Sequence, residues 1–187
     1  QPNNEAPMLK KILLAVAVAL AALLVFIATR PAEFTVERRE VIAAHPQIVH
    51  AQLNDFANWK NWSPWYKMDT AAAYTLSDPS SGAGATYAWE SGKTGSGTMR
   101  LTASAPDRIE IDLNFIKPFK AENKVVFTLY SIHGGTGLVW TMTGRNNFVG
   151  KAFGLFFDMD KMVGGDFEKG LADIKRLSEI QSGWRTE

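Results

Sequence analysis

The chain has 187 residues, 46% of them hydrophobic and 21% charged, with a formal net charge of +1. It is too apolar to be disordered, and it carries no basic patch able to neutralise several phosphates, which argues against nucleic-acid binding. The absence of cysteine removes disulfides, thiol nucleophiles and thiolate metal sites, and the three histidines (His45, His50, His133) stand at spacings that do not suit a catalytic zinc.

The first element is an apolar run, ILLAVAVALAALLVFIA, over Ile12–Ala28. A helix over these residues is roughly 25 Å long, close to the ~30 Å of a bilayer's hydrocarbon core. Lys10, Lys11 and Arg30 stand where they can snorkel to the interfaces. The run therefore predicts a single-pass membrane anchor over 12–28, or else an uncleaved signal. Its end, IATRPAEF, places an arginine and a proline where a small-x-small cleavage site belongs. Lys10 and Lys11 assign the N-terminal side to the cytoplasm and the body to the periplasm or cell exterior, with Arg30, Arg38 and Arg39 pulling the other way. Residues 1–30 are read as tail and anchor, and 31–187 as one folded domain.

Beyond Pro31 the period changes. Glu33–Ala44 reads as a strand with an irregularity near Arg38–Arg39, stopped by His45-Pro46. Ile48, Val49, Leu53 and Phe56 then fall at helical spacing. The phrase FANWKNWSPWYKMD follows, with Trp59, Trp62 and Trp65 three residues apart. Trp59 and Trp62 predict a second short helical turn, and Trp65, past Pro64, is expected to turn back toward the first sheet strands. Alternating segments come next: AAAYTLSD, ATYAWES, TMRLTASAP, RIEIDLNFI, KPFKAENKVVFTLYSI and TGLVWTMTG. Pro106-Asp107 marks a two-residue hairpin. In RIEIDLNFI, Ile109, Ile111, Leu113 and Phe115 share one face, while Glu110, Asp112 and Asn114 share the wet one. The tail returns to helical spacing through Phe156, Met159, Val163, Phe167, Leu171, Ile174 and Leu177. Gly164-Gly165 predicts a kink or two abutting helices within it.

Strand, short helices, some six antiparallel strands and a long terminal helix make an α+β fold, in which a curved sheet wraps the helix. This order, together with DFANWKNWSPWYKMD and the ending DFEKGLADIKRLSE, resembles the SRPBCC (START-like) superfamily over residues 33–179, and within it the polyketide cyclase/dehydrase-like proteins of bacteria. The resemblance implies a helix-grip fold of six to seven strands with a mostly apolar cavity between sheet and helix, accepting a lipid or other hydrophobic molecule. Bulk and strand parity then nominate the lining: Trp62, Trp65, Tyr87, Trp89 and Leu101, with Ile111, Phe127, Trp140, Phe156 and Met159.

For the tryptophans three readings stand: a structural corner, a rim touching ligand, and contact with a membrane interface. The segment KAFGLFFDMDKM (151–162) covers more than one helical face with apolar side chains, which suits a cavity lid, a surface resting on lipid, or a protein interface. No nucleophile stands beside a base at a recognisable spacing, and no motif for a metal or cofactor is evident. The expected function is a membrane-anchored binding domain for a hydrophobic small molecule or lipid, without catalysis. The alternatives are an accessory subunit docking on a membrane-protein partner, and an enzyme of cyclase, dehydrase or hydrolase type.

Overall fold

The computed structural model describes residues 5–183. They divide into two compact units. One contains α1 (Glu5–Ala28) and residues 146–157; the other runs from Glu33 to Arg145 and resumes at Asp158.

In the first unit, α1 is a continuous helix whose stretch Met8–Ala28, 21 residues with a mean hydropathy of 2.8, is long and apolar enough to cross a membrane. From Met8 to Ala28 its side chains stay exposed apart from Ile27, which is buried. A short helix, α5 (Phe148–Phe153), begins at Asn147, whose side chain accepts a hydrogen bond from the Gly150 amide. It is tied to the end of α1: Lys151 Nζ donates to the Ala28 carbonyl at 3.0 Å, and the Asn146 amide donates to the Ala32 carbonyl at 2.7 Å. Residues 146–157 thus group with the apolar helix, not with the body in which the sequence pattern placed them.

The second unit is built on a seven-stranded antiparallel sheet in the order β1-β7-β6-β5-β4-β3-β2. The strands are β1 (Glu33–Ile42), β2 (Ala73–Leu76), β3 (Thr86–Ser91), β4 (Gly95–Ala105), β5 (Arg108–Lys117), β6 (Ala121–Ile132) and β7 (Gly135–Arg145). Alternation decides the faces. Val36 and Ile42 on β1, Leu138 and Trp140 on β7, Val125, Phe127 and Leu129 on β6, and Ile109 and Ile111 on β5 are buried on the inner face. The Pro106-Asp107 hairpin forms as expected, with Ala105 paired to Arg108. The irregularity expected in β1 is absent, since its pairing with β7 runs unbroken from Glu33↔Arg145 to Ile42↔Thr136. The register shifts fall in β4 instead, at Ser96/Gly97 and Leu101/Ala103, where a bulge sharpens local twist and bends the sheet.

Across the inner face lies α6 (Met159–Gln181), begun by Asp158, whose carboxylate accepts from the Lys161 amide. It continues unbroken through Gly164-Gly165, so two helices do not abut there; the chain breaks earlier, between α5 and α6. Gly164 is needed for room, because a Cβ there would collide with the Arg38 guanidinium. Arg38 rises from β1 to bond Asp160 (2.9 Å) and Glu168 (2.7 Å), and Lys175 reaches Glu40 at 2.9 Å. These pairs line α6 up along the edge strand.

Candidate functional site

The tryptophan-rich stretch begins with a problem at the end of α2 (Pro46–Asn54), since the last four carbonyls of any helix lack intrahelical donors. Each is met by a specific group. Asn58 Nδ2 donates to the Ala51 carbonyl (2.9 Å), Trp62 Nε1 to Gln52 (3.0 Å), Trp59 Nε1 to Leu53 (3.0 Å) and the Gly82 amide to Asn54 (3.2 Å). Both indoles therefore point their polar edges at α2 and their apolar faces inward. The turn Phe56–Asn58, α3 (Trp59–Trp62) and α4 (Pro64–Met68) hold them there.

The faces they turn inward meet other rings. Trp62 lies edge-to-face on Phe127 (6.3 Å between centroids) and on Trp140 (5.6 Å), while Trp140 stacks on Phe167 of α6 at 3.9 Å. Gly170 permits this approach, because a Cβ there would sit 2.8 Å from the Trp140 ring. Trp65 packs edge-on against Trp140 and Phe167, meeting the late strand β7 and α6 where the sequence pattern suggested the first strands. Over β6 and β7, then, the space beneath α6 is occupied by the protein's own rings. Within them the Trp140 Nε1 is buried without a hydrogen-bond partner, an arrangement that costs about 1–3 kcal/mol.

Of the ten nominated residues, Trp62, Leu101, Ile111, Phe127 and Trp140 are fully buried, and Tyr87 nearly so. Burial pushes the Tyr87 phenol up, so it stays protonated at any ordinary pH. Trp65, Trp89 and Met159 are half-buried. Phe156 does not line the interior: it is 82% exposed and belongs to the α1 unit, because the chain leaves the helical stripe between α5 and α6.

The inner face changes character toward β3–β5. Trp89, Met99 and Phe115 pack against the core yet keep part of their surface open, beside Leu113 and the stacked pair Tyr66–Tyr74 (4.3 Å). Trp89 and Phe115 meet edge-to-face at 5.6 Å, over a Gly97 that leaves no room for a side chain. This apolar shelf joins Trp89 to two residues that the lining expectation omitted. Their signal was parity: Met99 shares a face with Leu101, and Phe115 with Leu113.

Two polar features lie elsewhere. A cleft of about 640 Å³ lies where β1 and β6 begin and β7 ends, beside the middle of β5, lined among others by Glu33, Asp112, Glu122, Lys124 and Arg145. Its charged walls do not suit an acyl chain. On the other side, tertiary structure brings Ser104 of β4 to His50 and Asn54 of α2. Ser104 Oγ donates to Asn54 Oδ1 at 2.5 Å, while His50 Nε2 is 3.4 Å from that hydroxyl. The serine proton is engaged by the amide oxygen, so the imidazole is not placed to take it. Among the described residues, no cluster of His, Asp and Glu could hold a metal.

The family described as "Polyketide cyclase / dehydrase and lipid transport" matches residues 33–179. The chain belongs to this family. Solved structures agree with it in fold. A protein from Chromobacterium violaceum, CV1439, superposes with a TM-score of 0.59 at 15% identity, covering 78% of this chain and 96% of that one. The di-domain ARO/CYC StfQ from the steffimycin biosynthetic pathway gives 0.61 at 9% identity, with 81% of this chain matching 53% of that one. DynU16, a protein in the dynemicin biosynthetic locus, gives 0.53 at 15% identity over 81% of this chain and 49% of its own. At these identities the likeness is one of fold. No curated protein sequence matches.

Proposed function

We propose that this family member is a membrane-anchored binding domain, without catalytic activity, for a lipid or other hydrophobic small molecule. The observation that carries the reading is the half-open apolar shelf of Trp89, Met99 and Phe115 on the inner face of a fold whose family description includes lipid transport. Binding draws on desolvation. Each methylene removed from water contributes about 0.8 kcal/mol, so a ten-carbon chain contributes roughly 8 kcal/mol before ordering costs are subtracted. Anchoring through residues 12–28, with Lys10 and Lys11 on the cytoplasmic side, would place the body outside the cytoplasm, where it could exchange its ligand with the bilayer.

The reading is tested by isolating the full chain from its membrane, exchanging it into lipid-free polymer and extracting it for mass spectrometry. One apolar compound at near-stoichiometric amount is expected, and Met99→Glu, which sets a charge on the shelf, should lose it while the fold persists. An extract free of any retained compound would end the proposal.

A further inference from the structure

We propose that residues 148–157 form an interfacial collar that lies in the headgroup layer of the bilayer around the end of α1; this rests on reading α1 as a membrane anchor. The segment exposes Phe148 (46%), Val149 (58%), Phe153 (46%), Phe156 (82%) and Phe157 (48%) in ten residues. Phe153 and Phe157 stack on each other at 4.1 Å, which makes one broad apolar surface. Solvent alone does not account for such a surface, since large contiguous apolar patches mark contact with a membrane or a partner.

Position decides between those occupants. The Lys151 ammonium is bonded to the carbonyl of Ala28, the last residue of α1, so the collar is tied to the point at which the apolar helix ends. The 21 residues of Met8–Ala28 rise roughly 32 Å, which matches a hydrocarbon core of ~30 Å. A helix that spans therefore brings Ala28 to the boundary between acyl chains and headgroups. A ten-residue segment bonded there must share that level. Arg30, set over the Phe26 ring at 4.1 Å, lies on the same boundary. Charge agrees with phospholipid: between Arg145 and Asp158 the only ionisable side chain is Lys151. Apolar surface with basic and no acidic groups is the pattern of segments that lie in an anionic interface.

The cysteine-free sequence allows a clean test. Spin labels are attached to Phe156→Cys and, separately, Leu20→Cys in the full chain, reconstituted in bilayers of phosphatidylcholine and phosphatidylglycerol. Collisions with oxygen and with a water-soluble nickel chelate are then measured. Both positions are exposed, so neither label disturbs the core. The expected result is a Leu20 label deep in the bilayer and a Phe156 label rich in oxygen and poor in nickel, about 5–10 Å below the headgroup boundary. A deep Leu20 label with a nickel-accessible Phe156 label would overturn the collar and leave the anchor standing. A Phe156 label shielded from both reagents would also overturn it, in favour of coverage by protein. A nickel-accessible Leu20 label would remove the anchor reading and the collar with it.

Discussion

At the scale of single residues, the same amino acid carries opposite consequences in one helix. A glycine within a helix ordinarily costs about 1 kcal/mol against alanine, yet a Cβ at Gly170 would sit only 2.8 Å from the Trp140 ring. That ring is fully buried and stacked on Phe167, so it has no slack. Overpacking costs typically 1–3 kcal/mol. Gly170→Ala should therefore destabilise the protein by about 1 kcal/mol net of propensity, whereas Gly165→Ala, which meets open space, should stabilise it. Urea unfolding of the two variants gives the comparison. Ionisable residues add a pH dependence. The Arg38 guanidinium holds the Asp160 carboxyl below the usual aspartate range, and the Ser91 hydroxyl does the same for Asp69. A carboxyl whose pKa is lower folded than unfolded supplies stability above the unfolded value and loses it as pH falls through the folded one. Thermal unfolding measured from about pH 6 down to about pH 2 should show stability declining only in the lower half of that range. Asp160→Asn should flatten the decline.

At the scale of elements, α2 and the tryptophan stretch form one device: a helix end whose carbonyls are met by indole, amide and backbone donors. The prediction here separates capping from bulk. Trp62→Phe keeps a ring in the core but leaves the Gln52 carbonyl without its donor, an exposure that costs about 1–3 kcal/mol when buried. Trp65→Phe, at a half-buried residue whose ring contacts are with Trp140 and Phe167, should cost less. Denaturant midpoints at equal slope would give the order; equal losses would show that ring volume, not the capping bond, dominates.

On the scale of the whole molecule, α1 and the sheet unit obey different solvents. The apolar side chains of α1 are exposed almost throughout Met8–Ala28, which in water is unfavourable and in lipid is the ordinary state. Two arginines at its centre, Val18→Arg with Ala21→Arg, would each cost roughly 2.5–3.5 kcal/mol on insertion. The doubly substituted chain should shift from the membrane pellet to the soluble fraction after carbonate washing, while its sheet unit keeps its far-ultraviolet signal. Retention in the pellet would show that α1 is not what holds the protein there.

Local pattern was enough for much of this. Period-two runs marked the strands, since alternation has to match a sheet with one buried face, and the 3.6-residue stripe marked α6 from Val163 to Leu177. The family resemblance rested on the same order of elements. What stayed hidden depended on contacts distant in sequence. That Trp59 and Trp62 cap α2, that Gly164 leaves room for the Arg38 guanidinium, and that Phe156 belongs to the unit of α1 are facts about atoms brought together by folding. Spacing along a chain reports which side chains share a face; only the closed structure decides which of those faces are already filled and which remain open to a ligand or to lipid.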